Sequence, residues 1–326
     1  MPAVETVRGP VDVAGLGPTF MHEHVFVLGA ENVQNYGAGD WWDEEEKVAD
    51  AVAKLRELAG LGITTIADPT VWGLGRYIPR IQRIAEQVPE LNIIVATGIY
   101  TYNDVPFQFH FRAPGTGLAR DGDPMIADFT RDLTEGIAGT GVKAAFLKCA
   151  MDSPGLTPGV ERVLRAVAAT HRATGAPVTV HTESSIHAGR TVAEILGEEG
   201  VDLTKVVIGH AGDSNDLDYL MELADTGAIL GMDRFGLDIV NATENRVATV
   251  AALCERGYAD RIVLSHDASC FIDWFGPDPA TVPAMQPNWH YRHISEDVLP
   301  ALRAAGVGDG QIDQMLVGNP RRYFSR

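Results

Sequence analysis

The sequence predicts a (β/α)8 barrel, the TIM-barrel class, and three observations predict it. Short apolar runs alternate with amphipathic segments about eight times, the pattern of an α/β fold with a parallel sheet. The runs are continuous and rich in β-branched residues, as in parallel strands buried on both faces. Potential metal ligands close several of these runs: the pair His22 and His24, then Lys148, His181, His210 and Asp267. In a barrel of this class the active site is built at the C-terminal ends of the strands. The set therefore predicts a binuclear metal centre at the C-terminal face of the strands, which a two-metal hydrolase needs around an activated water.

Each element follows from its local pattern. Residues 19–27 form the first expected strand. Residues 44–59 follow as a helix, with Val48, Val52, Leu55 and Leu58 at helical spacing. The second strand is 63–68, closed by Pro69, and a helix covers 77–87. The third strand is 92–97. Asp123 opens a helix with Pro124 at its first position, where a missing N–H costs nothing. Strand four is 142–148, before a helix at 160–174. Strand five is 177–181, before a helix at 191–199. Strand six is 206–210, before a helix at 216–226. Strand seven is 228–233, a helix covers 244–256, and 262–267 is strand eight. No composition break or long linker divides the chain, so residues 1–326 read as one hydrolase domain. No nucleotide-binding glycine fingerprint is present.

Composition narrows the class. Lys and Arg number 26 against 44 Asp and Glu, a formal charge of −18. So acidic a surface argues against nucleic acid or an anionic membrane as partner and leaves a small molecule. The cysteines Cys149, Cys254 and Cys270 are odd in number, widely spaced and without a C-x-x-C pair, as expected of reduced thiols. With no apolar leader at the N-terminus and no run of the ~20 apolar residues that span a bilayer, a cytoplasmic location is expected.

The ligands differ in how strongly each speaks. His22 and His24 lie two apart on an expected strand, so their side chains share a face and can chelate a first-row divalent metal. His181 and His210 each end an apolar run; either alone reads as a hydrogen-bonded core histidine, and together they form a second ligand pair. Asp267 can both ligate and accept a proton. The neighbouring His266 faces the other way and reads as structural. Lys148 ends the apolar run Ala-Ala-Phe-Leu-Lys. Burial favours its neutral amine. A neutral amine can take up carbon dioxide as a carbamate whose two oxygens serve two metals. A lysine paired with a buried acid is the alternative. Zn, Co, Mn or Fe all suit such ligands.

Two stretches exceed what a βα connection requires, 101–123 and 268–293. Loops of that length are usually functional or disordered, and their aromatic content argues against disorder. Both are expected to wall an apolar substrate pocket, with rim packing or a subunit contact as the plainer reading of any single aromatic.

The chain resembles the amidohydrolase superfamily, specifically the phosphotriesterase-like lactonases, nearly end to end. The resemblance is carried by Met-His-Glu-His at 21–24, Asp-Pro-Thr-Val at 68–71, Gly-Leu-Gly-Arg-Tyr at 73–77 and Thr-Gly-Ile-Tyr-Thr-Tyr at 97–102. It continues through Phe-Leu-Lys at 146–148, Ile-Gly-His-Ala-Gly-Asp at 208–213, Gly-Met-Asp-Arg-Phe-Gly at 231–236, Leu-Ser-His-Asp at 264–267 and Asn-Pro-Arg-Arg at 319–322. The likeness is greatest to actinobacterial members that hydrolyse N-acyl-homoserine lactones.

That resemblance implies a quorum-quenching lactonase with secondary organophosphate triesterase activity, working as a homodimer. It implies that His22, His24 and Asp267 hold the more buried metal, that His181 and His210 hold the more exposed one, and that carbamylated Lys148 bridges them. Tyr100 matches the tyrosine near the substrate oxygen, Arg234 the arginine at the end of strand seven, and Trp274 the aromatic of the last loop. The acyl tail is expected along Phe271, Ile272 and Trp274. A primary phosphotriesterase (aryldialkylphosphatase) is the nearest competing function. Another amidohydrolase acting on lactones or cyclic amides is the next, although a mononuclear deaminase would not need Lys148. The complete acid–base set speaks against a metal-binding protein without catalysis.

Overall fold

The computed structural model describes residues 2–37, 41–116, 122–276, 278 and 280–325. The chain opens with an antiparallel hairpin of β1 (Ala3–Thr6) and β2 (Gly9–Asp12), which sequence patterning did not mark. Eight parallel strands follow in chain order around the barrel. They are β3 (Thr19–Phe20), β5 (Thr65–Asp68), β6 (Asn92–Gly98), β7 (Phe146–Met151), β8 (Val178–Thr182), β9 (Val206–Gly209), β10 (Ile229–Met232) and β11 (Ile262–Leu264). Between β3 and β5 lies β4 (His24–Val27), which pairs in parallel with β12 (Ser269–Ile272) beyond the barrel rim.

The expected first strand is therefore two pieces broken at 21–23. The break sits at the barrel seam. There Met21 N–H reaches the Leu264 carbonyl at 3.5 Å, and His22 N–H donates to Ser265 Oγ at 2.8 Å. Glu23, fully buried, closes the rest: its carboxylate accepts from His266 N–H at 2.9 Å and from Ala268 N–H at 3.1 Å, with His266 Nδ1 at 2.7 Å. His266 Nε2 accepts from Ile294 N–H at 2.9 Å, so the ring proton is on Nδ1 and points at Glu23. His266 thus faces away from the ligands, as its strand position predicts.

Two apolar layers hold the strands. Outside them, helices such as Glu44–Gly60 bury one face, here Val48, Ala51, Val52, Leu55 and Leu58. That helix starts where Asp43 caps Glu45 and Glu46 N–H groups. Pro158–Thr174 starts behind the Thr157 cap and ends at Gly175 in the left-handed region, φ 70°. Inside the barrel, Met21, Ile94, Phe146, Val207, Ile229 and Val263 meet Tyr323 and Phe324 from the C-terminal helix Asn319–Phe324. Tyr323 also hydrogen-bonds Thr179 Oγ1 at 2.8 Å. The interior is thereby filled from one end, and only the C-terminal ends of the strands are left for a site.

One glycine fits the site's approach to the barrel. Gly98 (φ 140°) pairs with Lys148, and a Cβ there would stand 1.8 Å from the Lys148 carbonyl oxygen. No larger residue lets β6 and β7 meet at that point.

Candidate metal centre

The six expected ligands converge. His22 Nε2 and His24 Nε2 each lie 3.2 Å from Asp267 Oδ1. Lys148 Nζ lies 3.2 Å from His22 Nε2. His210 Nε2 is 2.8 Å from His181 Nδ1 and 3.8 Å from Asp267 Oδ2. His210 and Asp267 sit just beyond their strands with φ of 64° and 55°, the left-handed region in which His and Asp are enriched among non-glycine residues. These turned residues aim their side chains back over the barrel mouth. Holding them there stores backbone strain, a frequent companion of functional sites.

Each imidazole is pinned from behind. Asp233 holds His22 Nδ1 at 3.0 Å with one oxygen, and His210 Nδ1 at 2.9 Å with the other. His24 Nδ1 meets Thr70 Oγ1 at 2.7 Å, and Thr70 donates onward to Asp68 Oδ1 at 2.5 Å. Since Thr70 gives its proton to Asp68, it accepts from His24. His181 Nε2 meets Asp152 Oδ2 at 2.7 Å. A carboxylate behind an imidazole fixes its tautomer and leaves the other nitrogen's lone pair facing the centre. The inward nitrogens are then Nε2 of His22, His24 and His210, and Nδ1 of His181. The grouping of His22, His210 and Asp233 within 4.8 Å also suits a cation. We place Asp233 behind the ligands, because both its oxygens already accept ring protons.

Sequence reading missed Asp68, Asp233 and Asp152. Asp68 and Asp233 close apolar runs, the same signal that marked the histidines. Asp152 stands one residue past β7, and nothing local marks it. Changing Asp233 to Asn leaves one of two imidazoles without an acceptor, and we expect activity or metal affinity to fall about 10–100-fold with the fold intact. Titration of the apoprotein with a divalent metal, followed by assay, checks this.

Burial dominates the electrostatics. Burial and then Lys148 pull His22 down to about 4. Burial likewise lowers His181 and His210, which suits neutral ligands. Burial pulls His24 down too, but its bonds to Asp267 and Asp68 outweigh this and bring it up to about 9. His24 thus holds a proton against the Asp267 carboxylate, and a cation bound there displaces it. Burial would raise the Asp267 carboxyl; the rings of His22 and His210, with His24 and Arg234, hold it well below its usual value. Burial lowers Lys148 to about 8, against the pull of Asp267 and Asp233. Nitrogen donors with one carboxylate and a readily neutralised lysine fit a pair of first-row divalent ions.

A cavity of about 160 Å3 opens over these groups. Its apolar wall includes Val27, Leu74, Leu237, Ile272, Trp274 and Phe275. Tyr100 reaches it edge-on to His181, 5.1 Å between ring centres, with its hydroxyl 3.5 Å from Asp152 Oδ2. Burial and Asp152 raise the Tyr100 phenol above its usual range, so it is a proton donor. Arg234 donates from Nε to Asp267 Oδ2 at 3.0 Å and from Nη1 to Asp213 Oδ2 at 2.9 Å. Burial opposes its charge, and Asp267 and Asp213 more than compensate.

Two expectations are corrected. Phe271 does not line this cavity; it is buried under Trp42, 5.7 Å between ring centres, with the Lys47 ammonium 5.1 Å from its own ring. Ile272 and Trp274 of the same loop do line it. The described part of 101–123 contributes no wall either. Its Phe109 is buried against Trp72 instead. Residues 117–121 of that loop, and 277 and 279 of 268–293, lie outside the described residues. Glu183 caps a turn through Ser185 N–H, and His187 stacks on Tyr219.

Comparison with known proteins agrees with this geometry. The model of the phosphotriesterase family matches residues 2–324. A "phosphotriesterase homology protein" of Mycobacterium tuberculosis is 56% identical across 100% of this chain and 98% of its own length. An "aryldialkylphosphatase" of Saccharolobus solfataricus is 37% identical across 98% of each. A solved structure of the phosphotriesterase from Mycobacterium tuberculosis superposes with a TM-score of 0.96, covering 100% of this chain and 99% of that one. No helix among the described residues is long and apolar enough to cross a membrane. By family model, sequence and fold, the chain belongs to the phosphotriesterase family of hydrolases.

Proposed function

We propose that the protein is a metal-dependent lactonase that opens N-acyl-homoserine lactones and hydrolyses organophosphate triesters as a secondary activity. One observation carries the reading: the convergent donors lie at the floor of a cavity whose wall is apolar, with Ile272, Trp274 and Phe275 on one side. That shape suits a small polar reacting group with an apolar tail, since each methylene that leaves water gains about 0.8 kcal/mol.

His22, His24 and Asp267 would hold one ion, His181 and His210 the other. Lys148 would bridge them as a carbamate, formed when its neutral amine bonds to carbon dioxide and releases a proton. When bound, the two ions supply hydroxide at neutral pH and polarise the scissile carbonyl. Tyr100 donates its hydroxyl proton as a hydrogen bond to the developing oxyanion. Asp267, held by Arg234, accepts the nucleophile's proton and returns it to the leaving alkoxide. Trp274 and Ile272 keep water off the tail. Assembly as a homodimer and a cytoplasmic location belong to the same proposal.

The aryldialkylphosphatase relative favours a second reading, phosphotriester hydrolysis as the main activity. The two separate in one assay: kcat/KM for short- and long-chain acyl-homoserine lactones beside an aryl phosphotriester. Lactone turnover that rises with chain length, and loses that rise in Trp274→Ala, supports the lactonase. Efficient phosphotriester turnover with poor lactone turnover would replace it by the second reading.

A further inference from the structure

Four charged side chains of alternating sign run outward from the centre: Asp267, Arg234, Asp213 and Arg246. Arg246 lies on the helix Thr243–Glu255, is 2% exposed, and touches neither the cavity nor a ligand side chain. Two of its three nitrogens donate hydrogen bonds. Nε donates to the Asn241 carbonyl at 3.0 Å and Nη1 to the Gly212 carbonyl at 2.7 Å. Nη2 stands 2.7 Å from Asp213 Oδ1, an ion contact too oblique for a directed hydrogen bond. Neither of those two buried atoms hydrogen-bonds elsewhere among the described residues.

We infer that Arg246 is a positioning residue that keeps Arg234 on Asp267 by occupying one oxygen of Asp213. A guanidinium facing a free carboxylate pairs with both of its oxygens. Here Arg234 takes only Oδ2 of Asp213, while Oδ1 faces the Arg246 charge 2.7 Å away. Arg234 therefore spends Nη1 on Asp213 and keeps Nε for Asp267. Without Arg246, Asp213 is free to turn, presents both oxygens, and draws the Arg234 fork off Asp267. The carboxylate that moves the proton then loses its fixed orientation.

The inference rests on hydrolysis at this centre but not on which substrate is hydrolysed. The test uses metal-loaded full-length protein carrying Arg246→Met or Arg246→Lys. The first readout does not need activity. The Nε–H resonance of Arg234 is assigned by its loss in Arg234→Lys, and its protection from solvent exchange is measured. Protection persists in the wild type and in Arg246→Lys, and is lost in Arg246→Met. The second readout is kcat on a lactone and on an aryl phosphotriester. Arg246→Met lowers kcat about 10–100-fold, as outer partners of a metal site do, with KM and metal content unchanged; Arg246→Lys recovers most of it. In an Arg234→Ala background the same change costs at most about twofold, as expected when the shared path is already cut. Retained Nε–H protection in Arg246→Met, or an equal kcat loss in both backgrounds, overturns the inference. If Arg246→Met does not fold, Arg246→Gln carries the same comparisons. A protein that turns over phosphotriesters alone would change the functional reading and leave the resonance test standing.

Discussion

Replacing Lys148 with Ala is expected to remove nearly all turnover, by roughly 10³-fold or more, while the barrel still folds. Lys148 is almost wholly buried at the site, and its amine sits 3.2 Å from His22 Nε2 with Asp267 beyond. Burial already lowers its proton affinity to about 8, so an appreciable share is neutral near pH 7–8. If that amine carries a carbamate, its loss removes an anion whose two oxygens can join the two ligand groups. Several kcal/mol of transition-state stabilisation then go with it, and each 1.4 kcal/mol is about tenfold in rate. The shortened side chain leaves space where a small carboxylate can stand in for the carbamate. Acetate or propionate should therefore restore part of the activity in bicarbonate-free buffer. Undiminished activity, or a loss that carboxylates never relieve while metal content stays at two ions, would contradict the bridging role.

Changing Asp267 to Asn should cost kcat about 10²–10⁴-fold, the range for removing a positioned general base. Asn keeps the shape but loses the charge that His24 and Arg234 both use. Its amide has only one acceptor oxygen, so Oδ1 toward His22 and His24 and Oδ2 toward Arg234 cannot both be replaced. The effect should show in kcat rather than KM, and metal affinity on the His22–His24 side should weaken as well. The checking measurement pairs steady-state kinetics at saturating metal with a metal titration. Loss of KM alone would mean that Asp267 binds substrate and moves no proton.

Much of this molecule is legible in the sequence because buried parallel strands leave continuous β-branched runs and surface helices leave a 3.6-residue period. The helix expected at 44–59 runs one residue further, to Gly60, and Asp123–Pro124 marks its helix start because capping is local chemistry. The first strand reads as one element because 19–27 contains no Gly, Pro, Asn or Asp to mark a break. Its break at 21–23 depends on the His22–Ser265 and Glu23–His266 hydrogen bonds, each between residues 243 apart in the chain. The ligands were visible as polar residues ending apolar runs. Their orientation was not, since it comes from left-handed turns at His210 and Asp267 and from Asp233 and Asp152 behind the rings. Phe271 faces away from the cavity for a related reason. An aromatic in an irregular loop carries no period to say which side it faces, and Trp42 takes it from behind.

Anomalous diffraction from crystals of the metal-loaded protein tests the proposed two-metal centre most directly. Two peaks are expected, one among His22, His24 and Asp267 and one between His181 Nδ1 and His210 Nε2, with continuous density beyond Lys148 Nζ reaching both. A single peak with a bare amine at Lys148 would contradict the two-metal centre.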